Sequence, residues 1–364
     1  MAKEREISLR VNSNHPDFTN YPYSDIEQHY FTPVTPDPRY PETKGFEWRT
    51  RLTKNPNGNI WQSCIKFGQK SSGQREEVET IVDEGAFGTT NSDISRYACG
   101  SLQKRRYSVG DGLIVDKYPG HIQAEKEFKD HEDESTWRPP EWCEPSIDLP
   151  SNRKLADTPH KSLDSLRPAI NAQELIDELR EKFKNGGIIT LSGMSASGKS
   201  HISRMITESL GGTYIEADHA HIPGQVANHD LPEVYDYNLV LKSALDLLKG
   251  KEAQFPVYNY ATFKSESSRT LAPPKSKIVV VDGLYANSQM SKLDNSPINT
   301  RHAVMGTPLY VCVIRRMVRD TKIVRPDNSR STTWNSEETL RYISEVAIPT
   351  YLKYSSDKAD YYVA

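Results

Sequence analysis

Residues 193–200 read GMSASGKS, a G-x-x-x-x-G-K-S pattern set between an apolar run, GIITLSG, and a helical one, KSHISRMITESLGG. Few local patterns restrict a chain as tightly. The glycines let the backbone fold into a nest of N–H donors, and the helix that follows aims its positive end at the same point; a phosphate chain suits both. Lys199 then bridges the outer phosphates and the Ser200 hydroxyl ligates Mg2+. Gly193, Ser195, Ala196, Ser197, Gly198, Lys199, Ser200 and His201 are the nucleotide-binding candidates.

The pattern sits in an alternation of strands and helices that implies an α/β fold, a parallel sheet with helices on both faces. NAQELIDELREKFKNGG has an Asn171 cap, helical spacing and a Gly-Gly stop. TYIEAD, KIVVVDGLYA and PLYVCVIRR read as strands, VYDYNLVLKSALDLLKGK and SEETLRYISEVAIPTYLKYSS as helices. The first 145 residues differ: short alternating runs such as IEQHYF, FEWRTRLTK, NIWQSCIKFG, REEVETIV, LQKRRYSVG and HIQAEKEF predict an antiparallel sheet or barrel. NPNGN at 55–59 marks a hairpin between two of them. Prolines at 145, 150, 159 and 168 and the absence of periodicity mark a linker. The expected domains are 1–145, a linker at 146–170, and 171–364.

Bulk charge narrows the partners. With 46 Lys plus Arg against 49 Asp plus Glu there is no global basic field, so no nucleic-acid partner is expected. Cys64, Cys99, Cys143 and Cys312 share no metal or disulfide spacing, and no long apolar run occurs, so a reduced, cytoplasmic protein without a membrane partner is expected.

Around the phosphate loop, Asp218 ends a strand, AQFPVYNYATF follows a helix, Asp282-Gly283 ends another strand, and CVIRRMVRDTKIVR is arginine-rich. That order resembles the uridine kinase and phosphoribulokinase family of P-loop kinases. The resemblance implies ATP-dependent phosphorylation of an alcohol. Asp218 would orient or deprotonate the acceptor hydroxyl, Lys199, Arg316 and Arg319 would neutralise charge in transfer, and Ser200 with Asp282 would hold Mg2+. Tyr258, Asp230 and Phe263 are the acceptor candidates. Phe263 stands where uridine kinases carry a histidine, and Asn259 replaces an aspartate, so kinase chemistry is better supported than uridine itself as the acceptor.

In the strand-rich part, Arg49 and Arg51, Glu77 and Glu79, Lys104 and Arg106, and Glu125 and Glu127 are pairs spaced by two, each on one face of its strand. A polyanion tunnel and an ordinary polar face of an open sheet both fit that spacing. In order, these runs and the later PPEW resemble the CYTH, or triphosphate tunnel metalloenzyme, superfamily. The resemblance implies triphosphate binding by Arg49, Arg51, Lys66, Lys104 and Arg106, and Mg2+ or Mn2+ binding by Glu6, Glu125 and Glu127, with Glu77 and Asp116 as further carboxylates. Where that family opens E-x-E-x-K, this chain reads EISLR, with Ser8 in place of the second glutamate. The leading expectation is phosphotransfer from ATP to a nucleoside-like hydroxyl beside a polyphosphate-binding CYTH domain. The alternatives are a metal-dependent tri- or pyrophosphatase in the tunnel with the P-loop domain sensing nucleotide, and a nucleotide-responsive binding protein.

Overall fold

The computed structural model describes residues 6–68, 76–83, 94–128, 132, 134–156, 169–223, 228–259, 262, 264–321, 335–355 and 359–364. The chain forms two compact units, Met1–Ser162 with Ser336–Glu345, and Leu163–Asn335 with Val346–Ala364.

The first unit is built on nine strands: β1 (Glu6–Val11), β2 (Tyr23–Tyr30), β3 (Glu47–Asn55), β4 (Gly58–Phe67), β5 (Glu76–Val82), β6 (Gly100–Gly110), β7 (Leu113–Tyr118), β8 (His121–Glu127) and β9 (Cys143–Pro145). They form an antiparallel sheet in the order β5-β4-β3-β2-β6-β7-β8-β1-β9. Among the described residues its two end strands, β5 and β9, do not pair with each other, so the expected barrel is corrected to an open sheet. Strand β9 is three residues long and pairs with β1 alone. The hairpin at 55–58 forms as expected, Asn55 facing Gly58, and Gly58 carries the positive φ of 131°. One face buries Leu9, Tyr107, Val115 and Ala124 against Phe18. The short helix Asn152–Leu155, capped by Ser151, lies against β6, where a Cβ on Gly100 would stand 2.4 Å from the Ala156 carbonyl oxygen. The helical segment Ser336–Tyr342 packs on β5; Arg341 Nε donates to Thr80 Oγ1 at 3.1 Å, and the Asp83 N–H donates to Glu345 at 2.7 Å.

The second unit holds β10 (Gly187–Ser192), β11 (Thr213–Glu216), a hairpin of β12 (Ala253–Asn259) and β13 (Lys264–Leu271), then β14 (Ile278–Gly283), β15 (Thr300–Met305) and β16 (Tyr361–Val363). The parallel sheet runs β11-β14-β10-β15-β16. Ile188, Val279 and Val281 pack with Val240, Ala244 and Leu247 of helix Tyr237–Leu248 on one side. Ile189, Leu191 and Val280 pack with Leu175, Leu179 and Ile206 of helices Ala172–Lys182 and Lys199–Leu210 on the other. Burial on both faces is why these strands read as unbroken apolar runs. Asn171 caps its helix through a box with Glu174, Asn171 Oδ1 accepting the Glu174 N–H at 2.9 Å.

Two readings change. PLYVCVIRR is the helix Leu309–Asp320, and the strand is the preceding TRHAVM of β15. Leu309–Ile314 is buried all round, so no polar face betrays the helical period. The helix expected over SEETLRYISEVAIPTYLKYSS holds from Ser336 to Tyr354 but passes through a π-helical turn, Ile343–Ala347, just before Pro349, which brings no N–H to the ladder.

Candidate functional site

The loop leaving β10 has Ala196 at φ 68° and Gly198 at φ 95°, a conformation that turns successive N–H groups toward one point ahead of helix Lys199–Leu210. Its packing excludes any side chain at Gly193, where a Cβ would lie 2.7 Å from Ser197 Oγ and 2.8 Å from Met305 Cβ. Thr307 Oγ1 ties the loop from outside, donating to the Ser197 carbonyl at 2.7 Å. His201, in the first turn of the helix, is exposed.

Three charged groups converge where β10, β11 and β14 end. Lys199 Nζ lies 3.9 Å from Asp218 Oδ2, with the lysine 6% exposed. Asp282, fully buried at the end of β14, accepts from the Tyr214 hydroxyl at 2.9 Å through Oδ2, and its Oδ1 has no hydrogen-bond partner. Asp218 Oδ1 is likewise buried and unpartnered. Burial pushes the Asp282 carboxyl up to about 7, while Lys199 and Ser200 beside it pull the other way. Because the folded value lies above the ordinary 3.8, ionised Asp282 weakens the fold: the penalty grows as pH rises from about 4 to 7 and is complete above that. Asp282→Asn should therefore melt higher than the wild type at pH 8, by the order of 3 kcal/mol, and no higher at pH 4. Thermal melts at both pH values test this, and an equal gain at pH 4 would refute the electrostatic origin.

The arginine helix reaches the same place. Arg319 Nη2 donates to Ser195 Oγ at 3.3 Å and its Nε meets Asp320 at 2.5 Å, while Arg316 holds Asp230 through two contacts of 3.4 Å. Asp230 lies beside an aromatic wall that the sequence only hinted at. His221 stacks on Tyr258 at 4.6 Å and meets Tyr235 edge-on at 5.4 Å, with His229 5.5 Å away. Burial holds all of His219, His221 and His229 below the ordinary imidazole range. Tyr214 and Thr307 carry no sequence signal of their own; their roles come from strand register and loop packing. Phe263 lies outside the described residues.

The first unit gathers its charges by register. Following partners across the sheet, Glu6 faces Glu127, Ser8 faces Glu125, Asp116 faces Arg106, Tyr30 faces Arg49, Gln28 faces Arg51, Cys64 faces Glu79 and Lys66 faces Glu77. All of these, with Lys104, share one face. Charged residues are rarely buried unless paired, and here Lys104, Asp116 and Arg49 are at most 7% exposed. Lys104 Nζ donates to Asp116 at 2.5 Å, and Arg106 donates to both Asp116 oxygens at 2.8 Å and to Glu125 at 3.3 Å. Glu77 accepts from Arg49 at 3.3 Å and pairs with Lys66 at 2.9 Å. Asn152 sits over Lys104, its Oδ1 3.2 Å from Nζ. Burial, helped by Arg106, pushes Lys104 down to about 8. Among the described residues the one group of three potential ligands within 4.8 Å is Cys64, Glu77 and Glu79; Glu6, Glu125 and Glu127 share the face without converging in that way.

Comparisons with known proteins bear on both units. No family model matches the chain. The chain is 29% identical over 173 residues, 46% of its length, to the inorganic pyrophosphatase TTM2 of Arabidopsis thaliana, and spans 24% of that protein. It is 29% identical over 191 residues, 48% of its length, to the uridine kinase of Tolumonas auensis, spanning 83% of it. The chain joins a CYTH-like domain to a uridine-kinase-like domain. A uridine kinase of Staphylococcus epidermidis is also 29% identical, over 152 residues, 37% of the chain and 69% of that enzyme. Among solved structures, one described as a possible uridine kinase from Bacillus stearothermophilus overlaps 53% of the chain and 98% of its own length at 14% identity and a TM-score of 0.36. In the CYTH-like domain, as in the kinase-like one, no helix of the described residues is long and apolar enough to cross a membrane.

Proposed function

We propose that the protein transfers the γ-phosphoryl group of ATP to a hydroxyl of a small, nucleoside-like acceptor. The observation that carries this reading is the meeting of Lys199, Asp218 and Asp282 at the mouth of the phosphate loop, with two carboxylate oxygens left unpartnered there. Ser200 and Asp282 would hold Mg2+; a buried carboxylate oxygen without a donor suits a hard cation or its water shell. Once bound, the ion neutralises charge on the outer phosphates. Lys199 holds the same oxygens from the loop side. Asp218 orients the acceptor hydroxyl and takes its proton as the oxygen attacks the γ-phosphorus, while the bridging oxygen leaves with ADP. Arg319, anchored at Ser195, supplies positive charge where negative charge develops, and Arg316 fixes Asp230 on the acceptor side.

The test is ADP formation from Mg-ATP with a panel of nucleosides and sugars, in the wild type, Lys199→Ala and Lys66→Ala. Acceptor-dependent turnover should vanish in Lys199→Ala and persist in Lys66→Ala. Phosphate release that survives the first change and disappears with the second would replace this reading with a second one, a phosphohydrolase in the CYTH-like sheet.

That second reading has its own support in the single charged face, where Arg49, Arg51, Lys66, Lys104 and Arg106 suit a polyphosphate. The lowered Lys104 gives it a pH signature. A bound polyanion favours charged lysine, so above pH 8 binding must take up a proton; tripolyphosphate affinity should fall about tenfold between pH 7 and 9. Calorimetric titration of wild type and Lys104→Met checks this, the variant being expected to bind more weakly and to lack that pH dependence. We further propose a cytoplasmic setting, which the four cysteines, none of them in a disulfide, favour.

A further inference from the structure

Arg269, on β13, is the unexplained cation of the kinase-like unit. It faces Phe255 across the hairpin, and Phe255 is fully buried, so the arginine lies on the inward face of the pair. Its Nε and Nη2 are buried without a hydrogen-bond partner, although the residue as a whole is partly exposed. Other guanidinium groups around the cleft are matched: Arg204 lies 3.5 Å from Glu216, Arg316 3.4 Å from Asp230 and Arg319 2.5 Å from Asp320. Among the described residues Arg269 has no such partner.

Arg269 shares its hairpin with Tyr258, which borders the turn that carries Asp218. The Tyr258 N–H, from the same hairpin, donates to His219 Nδ1 at 3.0 Å, which places the imidazole proton on Nε2, 3.7 Å from Glu216. His219 is next to Asp218 in the 3-10 turn Ala217–Ala220; burial, opposed by Glu216 and helped by the Arg269 charge, holds its imidazole below the ordinary range. The carboxylates there are engaged elsewhere, Asp218 with Lys199 at 3.9 Å and Glu216 with Arg204 at 3.5 Å and His219 at 3.7 Å, and among the described residues neither forms an ion pair with Arg269. A guanidinium edge buried without acceptors is costly to a fold, and a well-formed protein retains one where something else completes it. The Nε–Nη2 edge presents two parallel donors, the geometry that receives a carboxylate or a phosphate side-on.

We propose that Arg269 is a specificity-determining residue, receiving an anionic group on the hydroxyl compound that the kinase phosphorylates. The acceptor is thus an acid, a carboxylate or a phosphomonoester, and a neutral nucleoside lacks the group that Arg269 is placed to bind. The inference rests on the kinase reading above and refines its acceptor class. It also gives a physical reason for the apolar Phe263 where uridine kinases have histidine: selectivity for a base edge is replaced by selectivity for charge.

The experiment is steady-state kinetics with Mg-ATP and three kinds of acceptor: neutral (uridine, ribose), carboxylate-bearing (glycerate) and phosphate-bearing (ribose 5-phosphate). One anionic class should exceed the neutral compounds at least tenfold in kcat/KM, and the better arm tells carboxylate from phosphate. Arg269→Met should raise KM for that acceptor at least tenfold and leave KM for ATP unchanged, with Arg269→Lys in between. Without acceptor, Arg269→Met should melt no lower than the wild type, whereas a purely structural arginine would lower the melting temperature. Should the methionine variant fail to fold, a purely structural role is indicated and the proposal falls, unless Arg269→Lys folds normally and shows the KM rise. Turnover of neutral acceptors alone, with KM indifferent to Arg269, would overturn the anionic subsite and leave the kinase intact. Absence of Lys199-dependent ADP formation with every compound would instead overturn the kinase reading, and the inference with it.

Discussion

Lys199→Ala is expected to lower acceptor-dependent ADP formation at least 10²–10³-fold while moving the melting temperature little. The lysine is a preorganised cation, buried under the phosphate loop and already aimed at the site, with Asp218 at 3.9 Å as its carboxylate contact. Losing one preorganised donor at a developing charge costs about 2.7–4 kcal/mol of transition-state stabilisation. Stability should change less, because deletion also relieves a buried charge that is only loosely paired in the free protein. Lys199→Arg tests geometry separately from charge. The planar guanidinium cannot occupy the space of a compact ammonium at the loop, so it too should lose at least about 10²-fold. Turnover within tenfold of wild type in either variant would mean that the phosphate loop does not carry the reaction.

The largest effect on stability should come from Asp116→Ala in the CYTH-like sheet. Asp116 accepts one bond from Lys104 and two from Arg106, and it is 1% exposed. Burial alone would raise its carboxyl, yet the two cations hold it below the ordinary range. Removing it leaves two cations on a buried face, a change worth about 3–5 kcal/mol. Four of the five tryptophans lie in this unit, at 48, 61, 137 and 142, so fluorescence-monitored urea unfolding reports on it directly. Lys104→Met introduced together with Asp116→Ala should recover much of the loss, since the pair is coupled. Tripolyphosphate should stabilise Asp116→Ala more than wild type by replacing the missing negative charge. A loss below about 1 kcal/mol would show that solvent reaches this face and that it is no closed polyanion site.

What the sequence disclosed follows the range of each signal. The phosphate loop was legible because its geometry is set by eight consecutive residues, and β3 with β4 because alternation and NPNGN act locally. The charged face was half legible: spacing of two put each pair on one side, but only register across five strands, β3 to β8 through β2, β6 and β7, puts Arg49, Lys104 and Glu125 on the same side. Helix Leu309–Asp320 was hidden by burial, which removes the polar face that reveals a helical period. Strand β15 was hidden by Arg301 and His302; the histidine is buried there because Asp294 meets its Nε2 at 2.8 Å and Thr190 lies 2.6 Å from its Nδ1. Arg269 had no signal at all, because an unpartnered edge exists only once the fold has failed to supply a partner.

The helical segment on β5 has a consequence for how the molecule is made. Residues 336–345 complete the sheet unit, yet they are synthesised after nearly all of the kinase-like unit. On the ribosome the sheet must wait for its last piece while some 170 residues of the other unit emerge and fold, so a fragment cut at the linker would lack Arg341 and Glu345 at strand β5. The domain that begins first is finished last, and its birth as a complete body depends on the successful synthesis of its neighbour.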